Sequence, residues 1–358
     1  MNESPNNTVK NKLGVGRIVG RIGATLLASI LILVFALYMA LLVVARGPSE
    51  HAKELFVLSA NETSLAGFLA NIFLPGEEVD RILSIKKSAT DAEMENGIIT
   101  NPSLISINKD PDGNSGGGNS GNGSDSADPT KGIETIEIKT DTYKGMLMII
   151  DDPTRVFVGV PEAYGENCVG LSLRQMIDKY DAIAGVNAGG FYDPNGVGKG
   201  GIPNGIVIKD SKIMWGSEEG KYSITGFDKN GVLYVGTMTG REALDSGITD
   251  AVSFGPALII NGEPVNANYY LGVSRNPRTA IAQRADGSIM LMVIEGRSLS
   301  SFGATFDDLI EIFLKYGAVN ASNLDGGYSS LMVYNGGDLT TNAYAYGERI
   351  LPNAILVK

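Results

Sequence analysis

The sequence predicts a mixed α+β domain, mostly antiparallel sheet with few helices, preceded by one transmembrane helix and a flexible linker. Three observations lead there. The run from Ile22 to Ala45 carries no charge over 24 residues, enough for a helix to cross a bilayer. The stretch Asp110 to Lys131, DPDGNSGGGNSGNGSDSADPTK, has almost no apolar side chain and so little burial to offset the entropy of ordering. After residue 132, short apolar runs are punctuated by Asp-Ser, Asn-Gly and Asp-Gly pairs, as in successive hairpins.

Residues 1–21 read as a cytoplasmic tail, since Lys10, Lys12, Arg17 and Arg21 face only Glu3 and a basic flank stays inside. Residues 22–45 read as an uncleaved anchor, longer than the apolar core of a cleaved signal peptide, with Val43-Val44-Ala45 a poor cleavage site. The remainder is then extracellular. Residues 46–108 read as a juxtamembrane stalk, partly helical. Leu65, Phe68, Leu69, Ile72 and Phe73 have helical spacing behind a cap at Asn61–Ser64, and their face would meet the interface, a partner or the domain. Residues 109–131 read as a disordered Gly/Ser/Asn linker. Its Asp and Gly residues lack the closing Glu of a calcium loop. The folded domain is expected over 132–358.

Within it, Ile133–Ile138 alternates as a half-exposed strand. Met146–Ile150 and Arg155–Val160 follow as strands around Asp151-Asp152-Pro153. Ser172 and Gln175 form a capping-box pattern for a helix through Tyr180. Ile183–Val186 is a buried strand. Hairpins are expected at 205–215, at 222–235 and around Asn261-Gly262, where a type I′ turn is favoured. Another joins 279–283 to 288–294. Thr305 caps the best helix, with Leu309, Ile310, Ile312, Phe313 and Leu314 on its apolar side and Gly317 ending it. Ala354–Val357 is the last strand. No internal repeat is evident.

Composition excludes several chemistries. Net charge is −11, which argues against a nucleic-acid partner. Residues 77–130 hold ten acids and four bases, so the acidity is densest in the spacer. Cys168 is the single cysteine, so no internal disulfide forms. The single histidine, His51, lies outside the expected domain. That removes Ser-His-Asp and Cys-His catalysis and His-ligated zinc.

Four stretches set polar residues at strand ends beside glycines: Asn187-Ala188-Gly189-Gly190-Phe191-Tyr192-Asp193, Asn276-Pro277-Arg278-Thr279-Ala280, Glu295-Gly296-Arg297, and Asn323-Leu324-Asp325-Gly326-Gly327-Tyr328-Ser329-Ser330. Each has an ordinary alternative. Asp325-Gly326 is a common turn signal, Asn187 could cap a turn, Asp193-Pro194 could start one, Arg278 could pair with a surface acid, and Glu295 could be a solvated strand end. Together they fit a polar pocket at one end of a sheet.

NAGGFYD at 187–193, SFGPALIINGEP at 253–264, NPRTAIAQRADGSIMLMVIEGR at 276–297, NLDGGYSSLMV at 323–333 and LPNAILVK at 351–358 resemble, in order and spacing, the phosphodiester glycosidase family. The resemblance spans about residues 140–358. Two positions depart from the family pattern, which usually has Asp at Glu295 and a small residue at Tyr328. The resemblance implies hydrolysis of a sugar C1–O bond to phosphate. Asp325 and Glu295 are then the candidate carboxylates, with Asp193 in reserve, because an oxocarbenium-like transition state is served by a carboxylate pair. Arg278 and Arg297 would take phosphate oxygens in their planar forks. Asn187, Thr279, Ser329 and Ser330 would hold sugar or phosphate, aided by backbone N–H groups around Gly189-Gly190 and Gly326-Gly327. Asp193, Glu295 and Asp325 could also converge on a divalent cation, but no metal-loop spacing supports one, and no cofactor is expected. The expected substrate is a cell-surface glycan or sugar-phosphate polymer. The other readings are a non-catalytic glycan-binding module and an envelope scaffold.

Overall fold

A computed structural model describes residues 15–62, 67–84, 99–107, 128–265, 274–342 and 347–358. It begins with a long helix, Val15–Arg46, in which Val19–Arg46 is long and apolar enough to cross a membrane. Its side chains from Ile22 to Phe35 lie exposed. Past residue 40 the helix acquires partners. Leu41, Leu42 and Ala45 pack with Val57, Leu58, Phe73 and Ile82 from the helices that follow. Arg46 Nε donates to the Phe73 carbonyl at 2.8 Å. The apolar residues of the stalk therefore cluster largely on the end of the long helix, although Phe68 and Ile72 remain exposed. Of the expected cap at 61–64, Asn61 and Glu62 end the helix Glu50–Glu62, and the other two lie outside the described residues.

The domain holds seventeen strands among the described residues. In chain order they are β1 (Ile133–Lys139), β2 (Lys144–Ile150), β3 (Val156–Gly159), β4 (Ala184–Asn187), β5 (Val207–Lys209), β6 (Lys212–Trp215), β7 (Lys221–Asp228), β8 (Leu233–Thr239), β9 (Ile248–Ser253), β10 (Ala257–Ile260), β11 (Glu263–Pro264), β12 (Arg278–Arg284), β13 (Ile289–Ile294), β14 (Ala318–Leu324), β15 (Met332–Tyr334), β16 (Gly337–Asp338) and β17 (Ala354–Val357). They form a seven-stranded sheet ordered β1-β2-β13-β12-β14-β10-β11, and two five-stranded sheets ordered β16-β15-β4-β17-β3 and β6-β5-β9-β7-β8. The strand pairs are antiparallel, as expected for a chain that turns back through short loops.

Local chemistry explains most turns. Asn261 and Gly262 both take positive φ, 57° and 86°, as a type I′ turn requires. Asp210 and Ser211 do the same without a glycine. Ser172 caps the helix Leu173–Tyr180 with the reciprocal Gln175 bond. Thr305 caps Phe306–Lys315 in the same way through Asp308. The helix Gly240–Asp245 and strand β9 are elements that the sequence reading omits.

Side chains from all three sheets meet in one core, including Leu291 of β13, Val186 of β4 and Phe227 of β7. The opposite face of the large sheet is covered by the helix Phe306–Lys315, through Leu309 and Phe313.

The domain begins earlier than residue 132. Ile99 bridges Gly236, and Thr100 exchanges backbone and hydroxyl bonds with Val235. Ser106 donates to the Ala285 carbonyl at 2.8 Å. Ile105 is buried among Ile206, Ile224 and Tyr234. Residues 99–107 are thus a docked strap. The Gly/Ser/Asn run leaves the domain at 107 and re-enters it at 128, so it closes a loop. Residues 85–98 join the helical cluster to this strap.

Ile105→Ala is therefore expected to lower unfolding free energy by about 2–4 kcal/mol, as for other buried isoleucines. Deleting eight residues within 110–125 should change it little, because loop closure depends weakly on length. Urea titration of the detergent-solubilised chain, followed by Trp215 fluorescence, measures both. Equal effects would contradict the docked strap.

Candidate active site

The antiparallel registers bring five loops to one end of the sheets. Arg278 opens β12 opposite Ile294, the end of β13. Thr279 lies opposite Leu324, the end of β14. The loops leaving β4 and β9 reach the same place. Together they enclose a cavity of about 310 Å³.

Asp325 lines this cavity. It is the first residue beyond β14, and its N–H donates to the Ala188 carbonyl at 2.8 Å. Its own carbonyl accepts from the Asn187 side-chain amide. Asn187 is wholly buried. Its Oδ1 accepts from the Thr279 hydroxyl at 2.7 Å and from the Leu331 N–H at 3.3 Å. The following glycines are required by contact. A Cβ at Gly326 would lie 2.8 Å from the Pro277 carbonyl oxygen. Gly327 has φ +60° and donates to that same oxygen at 2.9 Å.

Desolvation within the cleft wall is the main cause that raises the Asp325 pKa from 3.8 to about 6. The Ser329 hydroxyl, the Arg349 charge and the Gly326 N–H oppose the rise, and the charge of Asp193 adds to it. Asp193 faces the same cavity. Its Oδ2 pairs with Arg349 Nη2 at 2.7 Å, and its Oδ1 accepts from the Gly198 N–H at 2.6 Å.

Two guanidiniums also line the cavity. Arg278 is buried, donates from Nε to the Ala304 carbonyl at 3.1 Å and from Nη2 to the Ser274 carbonyl at 2.9 Å, and lies 4.5 Å from the Phe306 ring centre. Arg297 adopts φ +57°, donates to Asn276 Oδ1 at 3.3 Å and lies 4.3 Å from the Tyr328 ring centre. The Tyr328 ring is thus the platform for Arg297.

Of the residues singled out in the sequence, the cavity gathers Gly190, Asp193, Arg278, Arg297, Asp325, Gly326, Gly327 and Ser329. Glu295 is not among them, which corrects the expected Asp325–Glu295 pair. Its carboxylate pairs with Lys144 at 3.0 Å and accepts from the Thr341 N–H at 2.9 Å, beside a separate hollow that includes Asp338 and Thr340. The alternative in which Asp193, Glu295 and Asp325 converge on a cation loses Glu295 for the same reason. Among the described residues no group of three or more His, Cys, Asp or Glu is arranged to hold a metal. Asn187, Thr279, Gly189 and Ser330 also lie behind the cavity wall rather than on it. Gly189 donates to Asn353 Oδ1 at 2.6 Å, and a Cβ there would lie 2.9 Å from that oxygen. Their part is to hold the wall.

The sequence reading misses Asn204, Phe254, Phe306 and Asn323 as lining residues, and Arg349 behind them. Phe254 and Asn323 stand within stretches named above, without a role assigned to them. Arg349 lies between Gly347 and the LPNAILVK stretch at 351, and neither marks it as part of the cleft.

A family model described as phosphodiester glycosidase matches residues 180–358. The chain belongs to this family. A curated relative, an uncharacterised protein named YomE derived from the SPbeta prophage of Bacillus subtilis (strain 168), is 28% identical over 193 residues. The match covers 52% of this chain and 28% of that relative, so the chain spans about a quarter of its length. Among solved structures, the zebrafish N-acetylglucosamine-1-phosphodiester alpha-N-acetylglucosaminidase catalytic domain, auto-inhibited by its pro-peptide, superposes with a TM-score of 0.50 at 20% identity. That match covers 63% of this chain and 81% of the other, and the likeness is one of fold. A hypothetical protein from Synechocystis gives 0.44 at 18% identity, over 64% and 62% of the two chains. The family match starts later than the resemblance read at 140, yet β2 and β3 pair within the same sheets.

Because the folded-state pKa of Asp325 is raised, the protein loses stability as pH climbs from about 4 through about 6. Asp325→Asn is expected to raise unfolding free energy by about 1–3 kcal/mol at pH 7.5 and by little at pH 4. Urea titrations at the two pH values check this, and a loss at pH 7.5 would contradict it. Asn187→Ala should cost about 2–4 kcal/mol at either pH, since it orphans a buried hydroxyl and two backbone groups.

Proposed function

We propose that this chain hydrolyses the C1–O bond of sugar-1-phosphate diesters in an extracellular glycan polymer, working from a membrane anchor formed by the helix Val15–Arg46. The observation that carries the reading is one cavity lined by two carboxylates, Asp193 and Asp325, and two guanidiniums, Arg278 and Arg297, in a chain of the phosphodiester glycosidase family.

The chemistry follows from those groups. A diester carries one negative charge and would be drawn to the guanidinium wall. Water attacks C1, the C1–O bond breaks, and the oxygen departs with the phosphate monoester. The water's proton passes to a carboxylate. A phosphate monoester has a second pKa of about 6, so its departure needs less protonation than a sugar alkoxide and more cationic stabilisation. Asp325, raised to about 6, exchanges protons near neutral pH and is the catalytic carboxylate of this reading. Asp193 replaces Glu295 as its partner and stabilises positive charge developing at C1. The faces of Phe254 and Phe191 in the cavity lining suit the apolar side of a sugar ring.

A non-catalytic glycan-binding module is the second reading. Tyr328 favours it, because a bulky ring stands where the family has a small residue.

Both are tested by incubating the detergent-solubilised chain with synthetic sugar-1-phosphate diesters and measuring release of the phosphate monoester. Asp325→Asn is expected to lower kcat about 10²–10⁴-fold. Arg297→Ala should lower kcat/KM by about tenfold or more through loss of a charge-assisted contact. Glu295→Gln should leave kcat unchanged. Saturable binding with no turnover of any diester would select the binding module.

A further inference from the structure

Arg349 is absent from the cavity lining, yet the two carboxylates of the cleft both depend on it. It enters from the segment before β17, far along the chain from Asp193. It is 5% exposed, and its guanidinium lies 5.3 Å from the centre of the Phe191 ring. Nη2 pairs with Asp193 Oδ2 at 2.7 Å. Nη1 donates to the Gly196 carbonyl. The second oxygen of Asp193 accepts the Gly198 N–H. The turn from 193 to 198 is thereby closed around one guanidinium.

We infer that Arg349 is the positioning residue of this cleft: its fork fixes the Asp193 loop, and its charge acts on both Asp193 and Asp325. A planar guanidinium serves two acceptors in fixed directions, whereas a lysine supplies the charge without the fork. Removing the charge would leave Asp193 half-buried without its cation, a costly arrangement. It would also remove one of the influences that hold the Asp325 pKa down against desolvation. The charged and titratable groups around Asp325 are Asp193 and Arg349 from those two segments, and Arg278, Arg297 and Tyr328 from the cavity walls. The placement of Arg349 stands without the glycosidase reading. Only its kinetic consequence rests on that reading.

The test separates the two. In the detergent-solubilised chain carrying 13C-labelled aspartate, the Asp325 carboxyl is assigned by its loss in Asp325→Asn and titrated by NMR without substrate. Arg349→Met is expected to move the midpoint up by about one pH unit, and Asp193→Asn to move it down, as loss of a nearby positive or negative charge requires. Arg349→Lys should restore the midpoint but not the turnover. With a diester substrate, both Arg349 variants should lower kcat by about tenfold or more, a loss of alignment, with KM little changed. A midpoint unmoved in Arg349→Met, or full kcat in Arg349→Lys, would overturn the inference. If Arg349→Met does not fold, Arg349→Lys and Asp193→Asn decide it. Expected midpoints in a wild-type chain that hydrolyses no diester would sink the proposed function and leave Arg349 in its role.

Discussion

One buried amide joins the sheets on which the cleft stands. Asn187 ends β4 in one sheet, and Asp325 follows β14 in another. The Asn187 side chain donates to the Asp325 carbonyl and accepts from Thr279 of β12 and from the N–H of Leu331. No other residue type supplies a donor and an acceptor at this reach in a site closed to water. Aspartate would lack the donor, and alanine would lack both. Because buried polar groups are costly unless paired, the three partners and the amide specify one another. The position of the Asp325 carboxylate is a consequence of that lock, reinforced by the Gly326-Gly327 turn against Pro277.

The cleft that results is built against the charge of the whole chain. The protein carries −11, but the site sets two carboxylates among three guanidiniums, those of Arg278, Arg297 and Arg349. The arginines are held before any substrate arrives. Arg278 is fastened to two carbonyls and stacked on Phe306, and Arg297 is stacked on Tyr328. Such anchoring keeps a dipole or charge aimed without reorganisation, which is how a protein stabilises developing charge at low cost. Desolvation does the complementary work on Asp325, raising its pKa while its neighbours restrain the rise. The arrangement costs stability at neutral pH, in the manner of functional sites generally.

Much of the fold was legible because local chemistry decides it. Asn261-Gly262 demanded its turn, and Ser172 and Thr305 announced their helices by reciprocal caps. The glycine-flanked stretches containing Asp193, Arg278, Arg297 and Asp325 were legible for a related reason, since close backbone approach leaves glycine as its trace. What could not be read was decided at long range. Glu295 sits two residues from Arg297, and the pair looked like one site. Between them the chain turns through Gly296 and the positive φ of Arg297, so one side chain enters the cleft and the other meets Lys144 across from β2. Arg349 could not be read from its neighbours Gly347 and Leu351, because its meaning lies in a contact with a loop more than a hundred residues earlier. Ile105 likewise looked like part of a stalk until the hollow that receives it was formed by residues of β5, β7 and β8.

That strap relates the site to the proposed membrane anchor. The strap runs from Val235 and Gly236 of β8, met by Thr100 and Ile99, to Ala285 and Gly287 between β12 and β13, met by Ser106 and Ile107. The cleft lies at the other ends of those strands, at Arg278 and beyond Ile294. Seven residues of β12 separate the two, about 23 Å at the rise of an extended strand. The 14 residues from 85 to 98 connect the strap to the helical cluster and reach about 50 Å at most. If the long apolar helix spans a bilayer, the domain is joined to it through Ile99 on β8, within that reach of the helical cluster.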